Sequence, residues 1–135
     1  MAAPLPDDGP RDLAFSVSLS AEPAFAEAAG ALAARAGDYA GCAADDARRL
    51  GDAVRAVFEQ AAAGAPPASI VDLTVHGTAR VVQVEVRCGG GADLAQRMGA
   101  DGGADPVSAL VDRVEYGVDG PRCYCRLTQQ IRSAR

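Results

Sequence analysis

The sequence predicts an α+β two-layer sandwich, with helices on one face of a mostly antiparallel (mixed) sheet. Three observations carry that expectation. Apolar and polar residues alternate in five short runs, two helical stretches sit together early in the chain, and tight turns join the later runs in pairs. A length of 135 residues suits one domain with one core.

Residues 1–11 hold three prolines and Gly9 and read as a flexible leader to a single domain over 12–135. From Asp12 the pattern turns to strict alternation. Leu13, Phe15, Val17 and Leu19 point one way and Ala14, Ser16 and Ser18 the other, the signature of a half-buried strand.

Ser20 is the expected cap of a first helix, with Glu22 and Pro23 in its opening turn. Phe25, Ala28, Ala29, Leu32 and Ala36 recur at helical spacing, and Gly37 is the expected stop. A second helix opens at the Asp45–Asp46 pair, whose charge suits a helix N-terminus. Its apolar stripe is Leu50, Val54, Val57, Phe58 and Ala61, and Gly64 with Pro66 and Pro67 ends it. Arg48, Arg49, Asp52, Arg55 and Glu59 fall mostly on the other side, as a solvated face.

A hairpin follows. Val71, Leu73 and Val75 alternate with Asp72 and Thr74, His76-Gly77-Thr78 makes the turn, and Val82, Val84, Val86 and Cys88 face inward on the return. Residues 89–105 contain six glycines and form a long, mobile, lid-like connection. Pro106 starts a short helix through Arg113. Val114, Tyr116 and Val118 then form a strand, Asp119-Gly120-Pro121 a turn, and Cys123, Cys125 and Leu127 the inward side of the last strand.

Composition removes several classes of function. The net charge of −5 and the lack of clustered cations argue against a nucleic-acid partner. No run approaches the roughly 20 apolar residues of a membrane helix, and no basic region followed by an apolar run opens the chain. A cytoplasmic protein without a membrane partner is expected. The chain has no lysine, so a phosphate-binding loop of the Walker type is absent. Cys123 and Cys125 share a strand face, but no second cysteine pair exists at zinc-site spacing, and no metal is expected. The four cysteines are better explained as reduced, buried thiols. His76 has neither a nucleophile nor an orienting acid nominated beside it and is expected as an exposed turn residue.

Several segments, taken in order, carry a family likeness. They are F-S-V-S-L-S-A-E-P-A-F at 15–25, D-D-A-R-R-L-G-D-A-V-R-A-V-F-E-Q-A at 45–61 and V-Q-V-E-V-R-C-G-G-G at 82–91. L-V-D-R-V-E-Y at 110–116 and C-Y-C-R-L-T at 123–128 complete the set. With these the chain resembles the anti-sigma-factor serine kinases, small members of the histidine-kinase-like (GHKL) ATPase superfamily, over about residues 12 to 131. The resemblance implies the histidine-kinase-like ATPase fold in a bacterial regulator of transcription.

In that family a helix glutamate is the general base, an asparagine one turn later ligates Mg²⁺, and an aspartate at a strand end reads adenine. Carried over by position, the glutamate falls on Asp52, the asparagine on Ala56, a later histidine on Gln60 and the adenine aspartate on Cys88. Of the first glycine motif only Gly90 is matched cleanly. Ala56 offers no oxygen to Mg²⁺, a cation that demands oxygen ligands. Cys88 is a weak acceptor, and losing one charge-assisted hydrogen bond costs about 1.5–3 kcal/mol, one to two decades of affinity.

The expected function is a protein-binding regulatory module, a pseudoenzyme without ATP binding, kinase activity or cofactor. By resemblance its partners are a sigma factor, an anti-sigma-factor antagonist or a second copy in a homodimer. Two alternatives stay open. One is an active Mg-ATP-dependent anti-sigma serine kinase with displaced ligands, Glu59 taking the base role. No asparagine occurs in the chain to supply the metal ligand. The other is an unrelated α+β domain that binds a small molecule or joins an assembly, with a pocket under the 89–105 loop.

Overall fold

The structure, a computed structural model, describes residues 12–66, 68–89, 107 and 109–131. The leader at 1–11, most of the glycine-rich stretch and Gly90 lie outside the described residues. Strand β1 (Leu13–Ser20) leads through a 3-10 turn at Pro23–Phe25 into helix α1 (Ala26–Ala40) and helix α2 (Ala44–Gly64). Strands β2 (Ile70–Gly77), β3 (Val81–Gly89), β4 (Arg113–Asp119) and β5 (Arg122–Gln130) follow.

The five strands form one sheet in the order β1-β2-β3-β5-β4. Every pairing is antiparallel, so the sheet is not mixed. Alternation puts one apolar row from each strand on the same face. Across β1 and β2, Phe15 meets Val75 and Val17 meets Leu73; across β3 and β5, Val84 meets Leu127 and Cys88 meets Cys123. Both helices lie on that face, over β2, β3 and β5. Two helices, each about 10 Å wide, cover about four strands spaced at 4.8 Å. The inward residues of both edge strands are accordingly only half-buried.

Helix α2 follows its sequence pattern closely. Leu50, Val54, Val57, Phe58 and Ala61 are all buried, and Arg48, Arg49, Asp52, Arg55 and Glu59 are exposed. Helix α1 departs from its pattern. Its buried side is Ala26, Ala29, Gly30, Ala33, Ala36, Gly37 and Ala40, whereas Phe25 and Ala28 are exposed. An alanine-rich helix has little hydrophobic contrast between its faces, so close approach to α2 selects the face with the smallest side chains. A Cβ on Gly30 would sit 2.7 Å from the Gly51 carbonyl oxygen, which is a measure of how tightly the two helices cross.

The predicted ends also shift. Ser20 is the last residue of β1 and makes no cap; Pro23 opens the 3-10 turn, with Glu22 before it. Gly37 does not stop α1 but lies inside it, where a Cβ would be 3.4 Å from Ala47. The stop is Gly41, whose φ of 114° is left-handed and whose N–H bonds back to Gly37 and Asp38 carbonyls. His76 and Gly77 belong to β2, and the hairpin turns at 78–80, closed by the Thr78 N–H donating to the Val81 carbonyl at 2.9 Å.

No helix runs from Pro106 to Arg113 in the described part. Ala109 to Asp112 form turns and bends, and Arg113 already begins β4. Asp112 explains the early end: its N–H bonds the Thr128 carbonyl at 3.1 Å, and its Oδ2 accepts from the Gln130 N–H at 2.7 Å. The turn is thereby fastened to β5. Among the described residues, no helix is long and apolar enough to cross a membrane.

Candidate functional site

The described positions that the family likeness assigns to nucleotide lie on α2 and at the end of β3. Asp52 is exposed on α2 and lines a shallow cavity of about 210 Å³ between the helices, with Glu27, Ala31, Ala34, Arg48 and Arg55 around the Gly30–Gly51 crossing. Ala56 and Gln60 line neither this cavity nor the one described below. Ala56 is half-buried against the core, and Gln60 is exposed. Cys88 is 2% exposed and points into the core at the end of β3, where its Sγ lies 3.4 Å from that of Cys123. Glu59 is tied loosely to Arg55 at 3.6 Å, both side chains about half exposed. Gly90 lies outside the described residues.

Ala56 presents only a methyl group, and the Cys88 sulfur lies against that of Cys123. Among the described residues, no cluster of three or more His, Cys, Asp or Glu side chains could hold a metal ion. All four cysteines are buried, and none is in a disulfide. Cys88 on β3 and Cys123 and Cys125 on β5 face the core, and Cys42 lies between the two helices.

A second, polar cavity of about 240 Å³ opens between the start of α2 and the 109–112 turn. Asp46 and Arg49 come from α2, Asp112 from the turn and Gln129 from β5. Gln129 is buried, and its Nε2 donates to Asp112 Oδ2 at 3.0 Å. The amide therefore helps brace the turn.

The helix-free face of the sheet carries the densest polar chemistry. Arg126 of β5 lies between Glu115 of β4 at 3.3 Å and Glu85 of β3 at 3.6 Å. Arg87 pairs with Glu85 at 2.7 Å and Asp119 at 3.0 Å. The Tyr124 ring is flanked by both guanidinium groups, 5.3 Å from Arg87 and 5.2 Å from Arg126. Its cross-strand neighbour is Gly117, where any Cβ would collide with the ring. That glycine gives the aromatic ring its seat. Glu85 and Arg87 lay on the expected polar side of β3, whereas Asp119, expected in a turn, ends β4; the partnerships depend on register and were not legible.

Asp72 anchors the β2 side of the same face. The Ser18 hydroxyl donates to its Oδ1 at 2.5 Å and Arg122 Nη2 to its Oδ2 at 2.7 Å. These two bonds, aided by the Arg122 and Arg87 charges and opposed by modest burial, hold the Asp72 carboxyl below its ordinary value of 3.8. A depressed carboxylate contributes stability that is present above its unfolded value and lost as pH falls through its folded one. Asp72→Asn is expected to lower the urea midpoint at neutral pH, with the gap to wild type closing as the medium is taken down from about pH 5 into acid. A gap of constant size across that range would remove charge as the cause.

The fold has a counterpart among solved structures. The chain matches the crystal structure of the RsbU and RsbW domains of Rv1364c from Mycobacterium tuberculosis with a TM-score of 0.65 and 19% identity. The match covers 91% of this chain and 34% of that one, so this chain spans about a third of its length. At that identity the likeness is one of fold. No protein-family model matches the sequence, and no curated protein matches it.

Proposed function

We propose that the chain is a regulatory protein-binding module of the anti-sigma-factor type that binds no nucleotide and transfers no phosphate. The fold supports the first half of this reading: the matching structure carries an RsbW domain, and the match covers 91% of this chain. The partner class follows from that likeness, a sigma factor or an anti-sigma-factor antagonist, with self-association into a homodimer as a further mode. A binding role resides on a surface and outlives the loss of a metal ligand.

The observation that carries the second half is the environment of Cys88. Where the family places an adenine-reading aspartate, this chain has a thiol turned into the core against Cys123. Ala56 supports it from the helix, since a methyl group cannot ligate Mg²⁺. Asp52 is exposed beside α1 and stands as a solvated carboxylate rather than a base poised over substrate.

The test is a thermal melt with and without millimolar Mg-ATP or Mg-ADP. A ligand at 100 times its dissociation constant stabilises by about 2.7 kcal/mol, which would move a domain of this size by several degrees. No shift is expected. A magnesium-dependent rise would overturn the nucleotide-free reading and bring the kinase alternative forward. Titration with a purified sigma factor and antagonist then tests the partner class directly.

A further inference from the structure

We propose that Cys88 and Cys123 are a dithiol–disulfide couple, a reversible covalent link between the adjacent strands β3 and β5. The inference is independent of the functional reading above. The two residues are direct cross-strand partners in the β3–β5 register. Their Sγ atoms lie 3.4 Å apart, and the Cys123 Sγ is also 3.7 Å from the Cys88 carbonyl oxygen. Antiparallel partners have Cα separations of about 4.5–5.5 Å, inside the range of about 4.4–6.8 Å that a disulfide spans. Bond formation at about 2.05 Å requires each sulfur to move by roughly 0.7 Å, a small rotation about the side chain with no backbone shift.

The other cysteines are not so placed. Cys125 sits opposite Val86 on one side and Tyr116 on the other, and Cys42 lies between the two helices, outside the sheet. One pairing is therefore singled out from four thiols. A Cys88–Cys123 bond would close the chain from 88 to 123, tying the end of β3 to the start of β5 and so joining the two ends of the segment that contains β4.

Access and acidity govern the rate. The thiols are 2% and 1% exposed. Burial first, then the Cys123 thiol beside it, push the Cys88 thiol up to about 12. The reactive thiolate is scarce at neutral pH, so only a small oxidant forms the bond and does so slowly. The step is a two-electron oxidation. Two S–H bonds break, one S–S bond forms, and two protons and two electrons pass to the oxidant. A peroxide would end as water, and diamide, the laboratory probe, ends as its hydrazine.

The experiment treats the reduced full-length chain with diamide under native conditions, alkylates the remaining thiols after unfolding, and maps the peptides by mass spectrometry without reduction. The expected result is a loss of 2 Da that dithiothreitol reverses, two alkylated cysteines instead of four, and Cys88 linked to Cys123. Trypsin leaves Cys123 and Cys125 on one peptide, so fragmentation assigns the sulfur, and Cys125→Ser is expected to oxidise like wild type. Cys88→Ser and Cys123→Ser should each abolish the 2 Da loss. Four alkylated thiols after native oxidation, or a bond that uses Cys125 or Cys42, would overturn the proposal. The wild-type map decides this even if a serine variant fails to fold.

Discussion

Phe58→Ala is expected to cost about 3–5 kcal/mol, the range for emptying a fully buried aromatic site. Among the described residues Phe58 is the largest side chain wholly removed from solvent, and it stands on the face of α2 that meets the sheet. Its loss leaves a cavity between α2 and the strands that the alanines of α1 are too small to fill. A domain of this size has only about 5–15 kcal/mol in all. The melting temperature should fall by roughly 10–18 °C, at about 3–4 °C per kcal/mol. Phe25→Ala is the matched control: Phe25 is 37% exposed, and its truncation should cost about 1–2 kcal/mol. Equal losses at the two positions would mean that the core is not centred under α2.

Gly51→Val is expected to cost about 3 kcal/mol, near the upper end for overpacking. A Cβ at Gly51 would come within 2.7 Å of the Gly30 carbonyl oxygen and 2.9 Å of the Ala34 Cβ. The first obstacle is backbone, which cannot rotate aside, so the helices must separate along their crossing. Separation lifts both from the sheet they jointly cover. Helix propensity alone predicts the opposite sign, since glycine is about 1 kcal/mol worse than alanine in a helix interior. Gly89→Ala gives the contrast, because a Cβ there meets nothing within 4 Å. Urea unfolding of both variants decides the matter: a Gly51→Val midpoint at or above that of Gly89→Ala would show that the close crossing is absent.

The two predictions also mark where the sequence was legible. The stripe on α2 could be read because Leu50, Val54, Val57 and Phe58 differ sharply from the charged residues between them. The same procedure on α1 placed Phe25 and Ala28 inside, and both are exposed. Alanine occupies so many positions there that periodicity carries little contrast. The stop at Gly37 failed for a related reason. A glycine in a helix marks an end only when the chain needs a left-handed residue, and here that need falls on Gly41, while Gly37 serves the approach of Ala47.

Of the candidate site, the residue types were readable but their company was not. Ala56 has no side-chain oxygen in any fold, and that much was readable without coordinates. Cys88 is different. Its inward direction followed from alternation with Glu85 and Arg87, yet its contact with Cys123 joins residues 35 positions apart. The same holds for Tyr124 over Gly117 and for Asp72 between Ser18 and Arg122.

The sequence by itself determined the strands, the apolar face of each, the existence of both helices and the α+β class. Those features rest on local periodicity, which survives without knowledge of neighbours. Only the tertiary structure decided that β5 inserts between β3 and β4, which side of α1 is buried, and which thiols and charges meet. Each of those is a contact between distant segments, selected by steric fit and strand register, and neither quantity is written in the spacing of residues along one segment.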